Sequence, residues 1–329
     1  MTVLRAGLIG LGMMGRHHAR VLGSLEGVHL AAVADPGGDP YGVAAGREVL
    51  AGVDDIIRAN VDYCVVAVPT IYHEEIGLAL AAAGVHALIE KPLAPDVESA
   101  QRLAQAFESA GLVGAVGHIE RYNPALQSAR ERIEAGDLGR VYQVTTRRQG
   151  PFPARIADVG VVKDLATHDI DLTAWVTQRN YVRISAHSAF RSGREHEDLV
   201  AATGLLNDGT VTNHLVNWLS PLKERVTTIT GELGAFVADT LTADLTFYAN
   251  GSVQVVRDDI AQFRGVSEGD IIRYAISKPE PLRVEHENFR NAVRGESSDI
   301  VSMRQGLETV TVAQAILDSS ANTSMSPVM

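Results

Sequence analysis

Asp164, His168 and Asp171 lie in one helical stretch at i, i+4 and i+7. At about 100° per residue that spacing puts all three on one face. A carboxylate beside a histidine fixes its tautomer and raises its basicity, which suits acid/base work. Two blander arrangements share the pattern: a surface ion-pair stripe, or a metal site on His168. Metal is the weaker of these, since no second His or Cys stands nearby at ligand spacing. The second candidate is Lys91 in Glu90-Lys91-Pro92. It closes an apolar run at the edge where open α/β sheets place their ligands. A lysine there can bridge a substrate hydroxyl and a cofactor, polarising an oxygen or passing a proton. Glu90 could hold a ribose hydroxyl, and Pro92 disfavours helical geometry at Lys91 and permits a cis bond. Glu-Lys-Pro alone is an ordinary surface turn; its position is what raises it.

Chemistry of this kind needs a cofactor, and the chain opens on a place for one. Gly10-Leu-Gly12-Met13-Met14-Gly15 follows the apolar run Val3 to Ile9 and precedes a helix-like stretch, Arg16 to Leu25. Gly10 lets the chain turn off the strand, Gly12 lets backbone approach a pyrophosphate, and Gly15 lets helix pack on sheet. The helix N-terminus offers unpaired N–H groups to the phosphates. Asp35, closing the next apolar run, is placed to accept from the adenosine ribose hydroxyls. A carboxylate there repels a 2′-phosphate, and no Arg or Lys follows until Arg47, so NAD is expected over NADP.

Other residues are more ambiguous. His17 and His18 point about 100° apart, so at most one faces a cofactor, and packing or surface histidines are the default. His73 follows Pro69-Thr-Ile-Tyr at the expected cofactor edge. Arg147, Arg148 and Arg155 flank a proline-bearing loop, which is either a solvated charged loop or the receptor of a carboxylate or phosphate.

Composition narrows the class. A chain of 329 residues with net charge −11 has room for two domains and is a poor nucleic-acid binder. The lone Cys64 excludes an internal disulfide, reads as a core residue and suits a cytoplasmic protein. The opening residues run straight into a strand pattern, so no signal peptide is expected, and no apolar stretch is long enough to span a bilayer.

The elements that position these residues alternate through the first third. Strands are expected at Val3–Gly10, His29–Asp35, Val61–Pro69, His86–Pro92 and Leu112–His118, with helices at Tyr72–Ala83 and Asp96–Ala110. The irregular stretch Pro36 to Gly52 implies an abbreviated second crossover. This pattern predicts a doubly wound parallel sheet. After His118 the expectation is a helix at Pro124–Ala135, a strand at Arg140–Arg148 and a helix at Val161–Thr177. Alternating strands follow, with turns at Asn207-Asp-Gly209 and Asn250-Gly251, then helices at Pro281–Val293 and Met303–Ser319. That half reads as an antiparallel, partly solvated sheet with helices on one side.

Taken together, Gly10–Gly15, Pro69 to His73, Glu90-Lys91-Pro92 and Asp164-xxx-His168-xx-Asp171 resemble the motifs of the Gfo/Idh/MocA oxidoreductase family, over nearly the whole chain. The resemblance implies an α/β protein: an N-terminal Rossmann domain, residues 1–120, and a C-terminal α/β domain, residues 121–329, with a large open, mostly antiparallel sheet. It implies a homodimer or homotetramer, no metal, and Met13, Met14, Pro69, His73 and Glu90 beside the cofactor. Lys91 and His168, with Asp164, would handle the proton in oxidation of a sugar or polyol hydroxyl. Gly117-His118-Ile-Glu-Arg121-Tyr122-Asn123-Pro124 and Arg148 through Arg155 to Asp164 further resemble the UDP-N-acetylglucosamine 3-dehydrogenase-like branch. That likeness assigns substrate binding to His118, Arg121, Tyr122, Asn123, Arg148, Arg155 and Asp171, alongside Lys91, Asp164 and His168. A free inositol or hexose dehydrogenase, and a non-catalytic NAD-sensing regulator, are the alternatives. The helix lead-in, Asp158-Val-Gly160-Val, has fewer glycines than is usual in the family, which bears on the pocket.

Overall fold

The computed structural model describes residues 3–153, 159–251 and 269–321. Contacts divide the chain into two compact units, residues 1–119 with 279–314, and 120–278 with 315–329. The division falls near residue 120. The closing helix Pro281–Val293, however, belongs to the first unit instead of the second.

The first unit carries a six-stranded, all-parallel sheet in the order β3-β2-β1-β4-β5-β6. Its strands are β1 (Leu4–Ile9), β2 (Val28–Ala34), β3 (Val49–Leu50), β4 (Tyr63–Val66), β5 (His86–Glu90) and β6 (Gly114–Gly117). Every residue of β4 is buried, as expected of a parallel strand covered on both faces. The helices are α1 (Met13–Leu22), α2 (Val53–Arg58), α3 (His73–Ala82) and α4 (Val97–Ser109). Asp96 caps α4, accepting the Ser99 N–H at 2.8 Å, a contact worth about 1 kcal/mol. The abbreviated crossover proves to hold β3 and α2, too short to leave a clear period in the sequence.

Two returning segments complete this unit: α7 (Pro281–Val293) and the greater part of α8 (Met303–Ala321). Phe289 of α7 is buried edge-to-face on Tyr63, with centroids 5.3 Å apart.

The second unit holds an eight-stranded sheet, β14-β13-β12-β11-β7-β10-β9-β8. Its strands are β7 (Val141–Pro151), β8 (Tyr181–Ala189), β9 (Leu199–Leu206), β10 (Val211–Asn217), β11 (Leu219–Gly231), β12 (Gly234–Asp239), β13 (Asp244–Ala249) and β14 (Ile271–Arg273). All neighbours are antiparallel except β7 and β10. Helices α5 (Pro124–Glu134) and α6 (Thr167–Thr177) contribute Leu126, Leu172 and Trp175 to a core with Val144, Ile229 and Phe236. The helix expected from Val161 begins with a π-helical stretch, Val162–Ala166. No helix among the described residues is long and apolar enough to cross a membrane.

Candidate active site

In the first unit the glycine loop does what its spacing demands. Gly10 has φ +94°, and a Cβ there would collide with the Ala67 carbonyl. A Cβ at Gly15 would collide with the Gly10 carbonyl. At Gly12, by contrast, a Cβ would meet nothing within 4 Å. Open space over a helix N-cap that lacks a side-chain cap, with no acid in the first turn, suits the close approach of a pyrophosphate. Exposed Met13 and half-buried Met14 begin α1. A cleft of about 610 Å³ beside this loop is lined by Gly10, Gly12, Asp35, Asp55, Arg58 and Pro69, among others.

Asp35 also holds the loop together. Its Oδ2 accepts the Leu11 N–H and its Oδ1 the Gly37 N–H, each at 2.7 Å, tying the glycine loop to the end of β2. Arg47 donates to the Leu30 and Ala44 carbonyls. The cation that lines the cleft is Arg58, ion-paired with Asp55, which sequence order alone hid.

His73 departs from the cofactor role expected of it. It is fully buried, with Nδ1 3.0 Å from the Pro92 carbonyl and Nε2 3.0 Å from the Val68 carbonyl. Both ring nitrogens are engaged by backbone, so His73 staples the ends of β4 and β5 together.

Lys91 is half-buried and the Lys91–Pro92 bond is cis. The Glu90 carboxylate beside it is fixed at both oxygens: Oε2 accepts the Lys91 N–H at 3.1 Å, and Oε1 lies 2.9 Å from His18 Nε2. Burial pushes Glu90 up, but the His18 hydrogen bond, the Lys91 charge and the Lys91 N–H outweigh it and hold the carboxyl below its usual range. His18 Nδ1 in turn lies 2.9 Å from His286 Nε2. His18 is thus a buried partner of Glu90, and no spacing in the sequence announces His286. His118 is fully buried at the end of β6.

In the second unit Asp164 is buried in the π-helical stretch, His168 half-buried at the start of α6, and Asp171 buried one turn on. Such stretches inside helices frequently mark functional sites. Arg121 grips Asp171 with two hydrogen bonds, Nε to Oδ2 at 2.8 Å and Nη2 to Oδ1 at 2.6 Å, with both side chains buried. The two residues expected to bind substrate thus meet each other's charge. Asn123 is likewise structural, capping α5 through Ala125 N–H and donating to the Thr240 carbonyl. Tyr122 is buried.

Of the three expected arginines the two described ones, Arg147 and Arg148, face opposite ways. Successive residues of a strand face opposite ways, and Arg147 is exposed while Arg148 is buried. Arg147 pairs with Glu224 and lines a cleft of about 660 Å³ with Ser185, His187 and Asn213. Arg148 is held between Asp169 and Glu120, each at 3.0 Å. Burial disfavours its charge, but the two carboxylates override that and raise it above its ordinary value. Arg155 lies outside the described residues. The arginine that sequence reasoning missed is Arg225, cross-strand partner of Arg148. Its Nη1 donates to the Gln149 and Glu224 carbonyls at 2.9 Å. Burial, then Arg148, lower its basicity, while Asp169, Glu120 and Asp164 act oppositely.

Gly160 is the glycine this lead-in retains, and its surroundings require it. A Cβ there would collide with the Glu197 carboxylate, whose Oε1 accepts the Val162 N–H at 3.0 Å. Glu197 caps the helix, a role that needed the fold to be seen.

Comparison with known proteins agrees with this architecture. Residues 4–118 match the family described as "Oxidoreductase family, NAD-binding Rossmann fold", and residues 126–237 match the "GFO/IDH/MocA C-terminal domain". The chain is 31% identical over 301 residues to the UDP-N-acetylglucosamine 3-dehydrogenase of Acidithiobacillus ferrooxidans, covering 89% of this chain and 90% of that one. A solved structure of that enzyme aligns with TM-score 0.83 at 27% identity, over 98% of this chain and 99% of that one. Inositol 2-dehydrogenase 2 of Saccharopolyspora erythraea is 32% identical over 203 residues, 59% of this chain and 60% of the relative. With an NAD-binding loop, a Lys91 edge and an Asp164–His168 helix, the chain belongs to the Gfo/Idh/MocA family of NAD-dependent oxidoreductases.

Proposed function

We propose that this protein oxidises the 3-hydroxyl of a UDP-linked N-acetylhexosamine, using NAD in preference to NADP. One observation carries the substrate class: the similarity to the UDP-N-acetylglucosamine 3-dehydrogenase runs through both units, across 301 residues. Bound NAD would supply the hydride acceptor. Gly10, Gly12 and the α1 N-terminus would hold its pyrophosphate and Asp35 its ribose.

The chain's own residues handle the proton. On the family resemblance, Lys91, beside the fixed Glu90 carboxylate, and His168, on the helix that carries Asp164, would take it from the substrate hydroxyl. Asp164 orients His168, and the Arg121–Asp171 and Arg148–Asp169 pairs hold the helix that presents it. Arg225, half-buried and bonded to carbonyls, joins Arg155 as a donor for an anionic substrate. On the family resemblance we read the working form as a cytoplasmic homodimer or homotetramer.

Free inositol or hexose is the second reading, favoured by the inositol dehydrogenase relative. The test is NADH formation across UDP-N-acetylhexosamines, free hexoses and inositols. Fastest turnover of a UDP-sugar is expected; fastest turnover of an inositol transfers the assignment to the second reading.

A further inference from the structure

Beneath Lys91 lies a hydrogen-bonded chain that the reaction as described does not use. Glu90 Oε1, His18 Nε2, His18 Nδ1 and His286 Nε2 form two successive links of 2.9 Å. His18 and His286 are within 1% of full burial and Glu90 is 9% exposed. The three come from β5, α1 and α7. Gly117, register partner of Glu90, leaves the room: a Cβ there would stand 3.2 Å from the Glu90 carboxyl.

We propose that His18 and His286 are positioning residues that lock an ionised Glu90 against Lys91 by fixing the tautomer of one imidazole through the other. An ionised Glu90 only accepts, so His18 must carry a proton on Nε2. A neutral His18 then presents the Nδ1 lone pair, which takes the His286 Nε2–H. His286 Nδ1, left as a bare acceptor, finds no partner among the described residues. An orphaned lone pair is the tolerable form of that defect, since orphaned acceptors are less rare than orphaned donors. Burial pushes His286 far below the usual histidine range, which favours its neutral form. The other titratable groups facing the chain are Lys91, His73 on α3, Glu285 on α7, and His17 beside His18. Burial, then the Glu90 charge, raise Glu285 well above its ordinary value. It stays neutral and leaves Glu90 the charged carboxylate of the cluster.

This inference rests on the reading of Lys91 as a proton-handling residue, and its test separates the two. Nitrogen-15 histidine spectra of the full chain without substrate should show His18 protonated on Nε2, by a signal absent from His18→Leu. A His18 ring bare at Nε2 overturns the proposal. With whichever substrate the screen turns over, His18→Leu should lower kcat about tenfold and leave the KM for NAD unchanged. The acid limb of its kcat profile should rise by about one pH unit, because Glu90 loses its donor. His18→Gln, whose amide can both donate to Glu90 and accept from His286, should restore most of both. A parental profile in His18→Leu, or no rescue by Gln, overturns the proposal. If His18→Leu does not fold, His286→Leu serves, with the same shift expected in smaller degree and its absence equally decisive. Normal turnover in Lys91→Met would instead overturn the Lys91 reading, with the spectra unaffected.

Discussion

Arg225 and Arg148 are register partners across the β11–β7 ladder, yet only Arg148 is clamped between two carboxylates. Among the described residues the Arg225 side chain bonds to main-chain carbonyls, and it feels the charge of Asp164. Losing a charge-assisted contact costs about 1.5–3 kcal/mol, or roughly ten- to over a hundredfold in affinity. Arg225→Gln should therefore raise the KM for a UDP-sugar by about that factor while NAD affinity holds. Steady-state kinetics on both ligands check this, and an unchanged KM removes Arg225 from the substrate site.

Proton handling is tested directly. Lys91→Met and His168→Asn should each lower turnover by roughly a hundredfold or more. Calorimetry should show NAD binding within a few-fold of the parent. Asp164→Asn should slow the reaction less, by loosening His168.

Cofactor choice turns on Asp35. Replacing it in Asp35→Ser with Pro36→Arg should narrow the preference for NAD over NADP. The double variant also loses the bonds to Leu11 and Gly37, so a fall in thermal stability should accompany the change. Tighter NADP than NAD binding in the parent would refute the assignment.

Stability should respond to pH through Glu285. Its folded carboxyl titrates above the unfolded value, so the folded state keeps a proton that the unfolded chain gives up. Stability is then full below the unfolded value, about pH 4.5, and is lost as pH rises toward the folded one. Glu285→Gln removes that loss, and its gain in melting temperature should be larger at pH 8 than at pH 5. An equal gain at both values would mean that Glu285 is charged in the native state.

Much of this was legible in the sequence, and the exceptions share a cause. The glycine loop, the buried strands and the Asp164–His168 helix carry local signals: turn residues, apolar runs and a helical period. The partners Arg121–Asp171, His18–Glu90 and Glu197–Val162 lie between 35 and 72 residues apart, and no local period encodes them. Arg147 and Arg148 misled because adjacency in a chain suggests adjacency in space, while a strand sends neighbours to opposite faces. β3 and α2 are two and six residues long, too short for either period to repeat.

The returning segment 279–314 bears on how the protein is made. On the ribosome the first 119 residues emerge with Tyr63 lacking Phe289 and His18 lacking its histidine, 268 residues downstream. Both units are discontinuous in sequence, and residues 120–278 of the second are synthesised before the Rossmann core can close. Domains generally fold as units in the order of synthesis. Here the first unit cannot finish until residue 314 has been made, long after most of the second, and a chain truncated before Pro281 would leave that core open at Tyr63.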